Sequence, residues 1–147
     1  MRSVDCYRYR GEGGAVMLNT ITLVDDSREL RFLFDILIKQ ELGVPVIGCP
    51  SLKDVMQHRD EVLNSQAIII DINLGPGEPD GVEVYRWIRD QKYDGQIFFF
   101  TGHAAEAPQV RVAAKTGVPV LEKPLSAIEL IDVVKGFCTQ PLAAGDA

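Results

Sequence analysis

Five short apolar runs punctuate the chain, at residues 21–24, 44–47, 67–70, 97–100 and 118–121. Each is nearly all apolar where a half-exposed strand would alternate, which is the pattern of parallel strands covered on both faces. Between the runs, apolar residues recur at spacings of three and four. After Ser27, the residues Leu30, Leu33, Phe34, Leu37 and Ile38 form one stripe, predicting a helix with that face inward. Ser51 precedes a second helix expected to bury Leu52, Val55, Met56 and Val62. Asp80 and Gly81 lead into a third, with Val84 and Ile88 facing inward. Pro108 suits the first turn of a short fourth helix, which Gly117 would end. Ser126, followed three residues later by Glu129, forms a capping box for a last helix with Ile131 and Val134 on one face. Five strands and five helices in strict alternation predict an α/β fold. Crossovers between parallel strands are right-handed, so an open parallel sheet is the natural result. Alternation alone leaves the strand order open.

Composition narrows the picture. A chain of 147 residues without repeats or low-complexity tracts fits one ordinary domain. The expected organisation is an extension over 1–18 without fixed structure, one folded unit over 19–140, and a tail over 141–147. The formal net charge of −6 argues against a generic nucleic-acid surface. No helix-turn-helix pattern follows the folded unit, so no contact with DNA is expected from this chain. Cys6, Cys49 and Cys138 are odd in number and far apart, with no metal-type spacing, and read as reduced thiols of a cytoplasmic protein. No apolar run approaches the ~20 residues needed to span a bilayer. The first sixteen residues lack the apolar core of a secretory signal.

Candidate chemistry lies at the strand ends, because ligands of open parallel sheets gather beyond the carboxyl ends of the strands. The first strand ends in Asp25 and Asp26, the third in Asp71, the fourth in Thr101 and Gly102, the fifth in Lys123 and Pro124. Taken singly, each is an ordinary strand-end or cap residue. Together, three acids, a hydroxyl and an ammonium converge on one rim. At an effective dielectric of ~20 and a separation of ~5 Å, each like-charged pair costs roughly 3 kcal/mol, so a cation is expected there. Oxygen-only donors favour Mg²⁺ over zinc or copper. A carboxylate can act as a nucleophile toward phosphorus while a metal and a lysine hold the developing charge.

The segments LVDD (23–26), IIIDINL (68–74), FFFTGH (98–103) and LEKPLS (121–126) resemble the receiver domains of bacterial two-component response regulators, and the likeness runs from about Thr20 to Phe137. The resemblance implies a doubly wound, flavodoxin-like three-layer sandwich with strand order 2-1-3-4-5. It implies that Asp71 accepts a phosphoryl group from a histidine kinase or a histidine phosphotransfer protein, and that the output is a contact with another protein. It also implies that Asp26, Asp71 and the Asn73 backbone carbonyl hold Mg²⁺, with Asp25 acting through metal-bound water. Lys123 would pair with Asp71 and then with the phosphoryl oxygens, and Thr101 would move its hydroxyl toward the phosphoryl group. A stand-alone receiver is expected, with no enzymatic turnover beyond slow self-dephosphorylation and with a homodimer left open. The alternatives are a Mg²⁺-dependent phosphatase or phosphotransferase using Asp71 as nucleophile, and a receiver-like binding module that is never phosphorylated. Asn73 stands where haloacid-dehalogenase-type phosphatases prefer a second acid, which counts against the first.

Several positions depart from the family pattern or stand apart from it. The loop 74–79 is about two residues longer than usual, and Val120 replaces a common switch aromatic. His103 reads as a solvated loop residue, with the alternative that it modulates phosphoryl lifetime, since relatives vary the side chain there that tunes dephosphorylation. Phe32 and Ile36 lie off the main stripe of the first helix. They are expected to make core contacts from a broad stripe, with a partner-docking surface as the sharper alternative. His58, Arg111 and Lys115 read as solvated, although the surface around the fourth helix commonly carries output contacts in this family. Tyr85 and Trp87 read as packing residues.

Overall fold

Main-chain hydrogen bonding joins the apolar runs into one five-stranded parallel sheet in the computed structural model. It describes residues 20–102 and 107–123, the backbone at 8–9 and 15–16, and the isolated helical positions Glu129 and Asp132. The strands are β1 (Ile21–Val24), β2 (Val46–Cys49), β3 (Ala67–Asp71), β4 (Gln96–Thr101) and β5 (Val120–Glu122). Their spatial order is β2-β1-β3-β4-β5, the doubly wound arrangement. Every residue of the central strand β3 is buried, as its unbroken apolar run requires. Ahead of the sheet, Arg8–Tyr9 pairs antiparallel with Ala15–Val16.

The described helices are α1 (Arg28–Leu42), α2 (Leu52–Gln57), α3 (Arg59–Leu63), α4 (Gly81–Asp90) and α5 (Pro108–Ala114). One sheet face packs Val55, Val62, Val84, Ile88, Val110 and Ala113 from α2 to α5. The other packs Phe34, Ile38 and Leu42 from α1. Ser27 caps α1 by accepting from Leu30 N at 3.1 Å. Asp80 and Glu83 close a reciprocal capping box on α4. Pro108 opens α5, and Gly117 has a positive φ of 83° just past its end. The last expected helix, with its capping box, Ile131 and Val134, lies outside the described residues except for Glu129 and Asp132.

Several details differ from the sequence-based expectation, among them β5, which begins at Val120, two residues after the start of its apolar run. β2 begins at Val46, two residues late, because Pro45 has no N–H to give a ladder. The second helix divides at His58 into α2 and α3. Val55 and Val62, two turns apart, take its buried face, and Met56 turns outward at 44% exposure. On α1, Phe34, Ile38 and Leu42 define the buried line, which leaves Leu33 at 51% exposure outside the stripe. Phe32 and Ile36 make no broad core stripe; both are exposed, on the side of α1 turned away from the sheet.

Candidate functional site

The strand register brings the candidate residues together. Val24 pairs with both Cys49 and Ile70, and Asp71 pairs with Phe100, so the carboxyl ends of β1, β3 and β4 are nearly level. Asp25 follows β1 and is fully buried, with its N–H donating to the Cys49 carbonyl at 3.0 Å. Asp71 closes β3 and is 5% exposed, while Asp26 faces solvent. One carboxylate oxygen from each of these three acids lies within 4.8 Å of the others. Thr101 ends β4, buried, one step beyond the rung that pairs Asp71 with Phe100. Its carbonyl accepts from Lys123 N at 2.7 Å, which ties the start of the β5 exit loop to the same rim.

Lys123 reaches both buried acids. Its Nζ donates to Asp25 Oδ2 at 2.8 Å and lies 3.4 Å from Asp71 Oδ2 and 5.9 Å from the centre of the Phe100 ring. Asp25 therefore takes the shorter contact. Its other oxygen, Oδ1, accepts from Ser27 N at 2.9 Å, so both Asp25 oxygens are engaged. Among the described residues, none donates a hydrogen bond to the Asp26 carboxylate.

One ammonium among three carboxylates leaves excess negative charge. Burial, and then the negative charge of Asp25, push the Asp71 carboxyl up to about 6, against the pull of Lys123 and of the Asn73 N–H. Burial pulls Lys123 down, but the hydrogen bond and charge of Asp25, then of Asp71, outweigh it and its pKa is raised. The donor set is oxygen throughout. Cys49, the nearby thiol, is pushed up to about 12 by burial and the Asp54 charge, so it stays protonated and offers no thiolate. Closely spaced carboxylates with unsatisfied charge fit a hard divalent cation such as Mg²⁺.

The long loop folds back beside this cluster. Asn73 N points to Asp71 Oδ1 at 3.4 Å, and Asn73 Oδ1 accepts from Gly75 N at 3.0 Å. Gly75 comes so close to Asp26 that a Cβ there would lie 3.4 Å from Asp26 Oδ2. His103 lies outside the described residues. His58 is exposed, as are Arg111 and Lys115, while Tyr85 and Trp87 are partly buried against the core.

Two residues at the rim escaped the sequence reading as contributors to the site. Gly81 starts α4 directly against the end of β3, where a Cβ would collide with the Asp71 carbonyl oxygen and approach Ile72 Cα. Arg31, on α1, donates to the Asp25 carbonyl at 2.7 Å. The only signal for either was position: a glycine behind a cap residue, and an arginine six residues after the first acid.

The sheet order and the rim together define a flavodoxin-like domain with an acidic carboxyl edge. The family description "response regulator receiver domain" matches residues 21–135, and the chain belongs to that family of phosphoacceptor signalling domains. Among solved structures, the signal receiver domain of a putative Luxo repressor protein from Vibrio parahaemolyticus is 23% identical, with a TM-score of 0.68 over 86% of this chain and 98% of that one. A CheY-like receiver domain protein from Methanospirillum hungatei JF-1 is 16% identical, with a TM-score of 0.72 over 86% and 98%. The receiver domain of NtrX from Brucella abortus is 23% identical, with a TM-score of 0.68 over 82% and 99%. At these identities the likeness establishes the fold. No curated protein matches closely enough to count as a relative. Among the described residues, no helix is long and apolar enough to cross a membrane.

Proposed function

We propose that this chain works as a cytoplasmic receiver, in which Asp71 accepts a phosphoryl group from a histidine kinase or a histidine phosphotransfer protein and the domain then changes its contacts with a downstream protein. The observation that carries this reading is the meeting of Asp25, Asp26 and Asp71 within 4.8 Å, with Lys123 bridging the two buried acids.

In the transfer, an Asp71 carboxylate oxygen attacks phosphorus. A phosphorus–oxygen bond forms, the bond from phosphorus to the donor imidazole nitrogen breaks, and the electron pair leaves with that nitrogen. Lys123, already 3.4 Å from Asp71, moves its charge from the carboxylate to the phosphoryl oxygens. Thr101 offers its hydroxyl to the same group from the neighbouring strand. Bound Mg²⁺ supplies charge neutralisation and orientation during the transfer. Asp26, Asp71 and the Asn73 carbonyl would hold it, and Asp25, whose two oxygens already accept from Ser27 N and Lys123, would act through water. Water returns Asp71 to the free carboxylate slowly, without turnover of external substrates.

The exposed apolar group on α1, Phe32 at 67%, Leu33 at 51% and Ile36 at 41%, is assigned to the phosphodonor protein. Intact-mass analysis after incubation with a small acyl phosphate and Mg²⁺ tests the acceptor. One phosphoryl adduct is expected, absent in Asp71→Asn, and an adduct that persists in this variant overturns the assignment. The double substitution Phe32→Lys/Ile36→Lys tests docking. Transfer from a phosphorylated donor protein should slow by about tenfold or more, as expected for removal of interface anchors, while uptake from the acyl phosphate stays unchanged. An unchanged protein-to-protein rate in a folded variant disposes of that surface.

A further inference from the structure

We infer that Arg31 is a positioning residue for the acidic rim: it locks the peptide between Asp25 and Asp26 and thereby aims the exposed Asp26 carboxylate at the metal. This rests on the reading of that rim as a Mg²⁺ site.

Asp26 has the least support of the three acids. Asp25 is buried and held at both oxygens, and Asp71 is the last residue of a buried strand. Asp26 is exposed and receives no hydrogen bond from any described residue, so its direction is set by its backbone. That backbone begins with the Asp25 carbonyl. The peptide joining the two acids is planar, so fixing the Asp25 oxygen also fixes the plane that carries the Asp26 nitrogen and leads into its Cα. Buried main-chain carbonyls require a donor, and here it is a charged one: Arg31 Nη1, at 2.7 Å.

The arginine is itself held on two sides. Its Cα is set by α1, whose Ser27 cap donates its own N–H to Asp25 Oδ1, while Ser27 O accepts from Arg31 N at 3.1 Å. Its stem lies over Gly48 of β2, where an added Cβ would come within 3.2 Å of Arg31 Cδ and 3.6 Å of Arg31 Cβ. Gly48 leaves the shelf on which the stem rests. A helix, an edge strand and the β1 exit are thereby joined through one side chain. An arginine fork on a flexible but supported stem suits this better than a shorter point charge.

Amide chemical-shift titration of the intact chain with Mg²⁺ reads this role. Arg31→Met keeps the stem over Gly48 and removes the donor. Its Mg²⁺ dissociation constant should rise about tenfold, the lower end of the usual effect of an outer-shell partner, while the melting temperature in EDTA falls by only about 5 °C from the loss of the donor to the Asp25 carbonyl. In an Asp26→Asn background the same substitution should add less than about twofold, because coupled residues are not additive. Gly48→Val keeps the guanidinium but displaces its stem, and should weaken Mg²⁺ in the same direction even if Arg31→Met fails to fold. Wild-type Mg²⁺ affinity in folded Arg31→Met, or in Gly48→Val, overturns the inference while leaving the metal site standing. A full additional loss in the Asp26→Asn background also overturns it. Absence of any Mg²⁺ response in the wild-type chain removes the metal site and the inference together.

Discussion

The two ends of the same strands bury polar groups for opposite purposes. Toward the amino ends, Thr22 Oγ1 donates to Ser65 Oγ at 3.1 Å, Ser65 Oγ donates to the Val62 carbonyl at 2.6 Å, and Tyr93 OH donates to the Ser65 carbonyl at 3.1 Å. Thr22, Ser65 and Tyr93 are neutral and buried, and these hydrogen bonds join them without a charged side chain. At the carboxyl ends, Asp25, Asp71 and Thr101 are as deeply buried, but the acids outnumber the lysine. Hydrogen bonds there orient the groups without neutralising them. The first set is neutral as folded, whereas the second keeps an excess of negative charge that a bound cation would offset.

Breaking the charge balance should produce the largest stability change. Lys123→Met leaves the fully buried Asp25 carboxylate without its cation. Loss of about 3 kcal/mol is expected, at the low end for a buried pair because Lys123 is 26% exposed. Urea unfolding measures it, and Mg²⁺ should recover part of the loss.

The next effect is pH dependence in the metal-free protein. Asp71 is raised from 3.8 to about 6 in the folded chain, so the fold binds this proton more tightly than the unfolded chain does. Its stabilising contribution is complete below the unfolded value and is lost as pH rises through about 6. Asp71→Asn in EDTA should therefore gain on the wild type by about 1–2 kcal/mol between about pH 4 and pH 7. A parallel pair of stability curves would show that the two rims do not differ in this way. Mg²⁺ should bind more weakly as Asp71 takes up its proton below about pH 6.

The smallest effect belongs to the neutral rim. Tyr93→Phe removes one neutral hydrogen bond and should cost about 1 kcal/mol, with phosphoryl uptake from an acyl phosphate unaltered. A change in uptake would mean that the two ends of the strands communicate.

The pattern of the chain carried most of the architecture. β1, β3 and β4 lie within a residue or so of the apolar runs that announce them, because strands covered on both faces are apolar along most of their length. The errors fell where a residue has one face to choose. Leu33 and Met56 are apolar and close to a helical stripe, yet the direction of each helix is set by the sheet beneath it, which the local spacing does not contain. The candidate acids were legible because strand ends are legible, and the topology then collects them. Their partners were not. That Lys123 binds Asp25 more closely than Asp71, that Gly81 presses on the Asp71 carbonyl, and that Arg31 turns back to the Asp25 carbonyl are facts of packing.

The order of residues by itself determined an alternating α/β chain, the residues that terminate its strands, and the charge those residues carry, since these depend on local periodicity and side-chain chemistry. Only the folded arrangement decided which acid is sealed and which is open, how far the Asp71 proton is held, and which side of α1 is left exposed. Burial and hydrogen-bond distance are properties of neighbours brought together from distant parts of the chain, and Asp25 and Lys123, separated by 98 positions, become neighbours only when the sheet is complete.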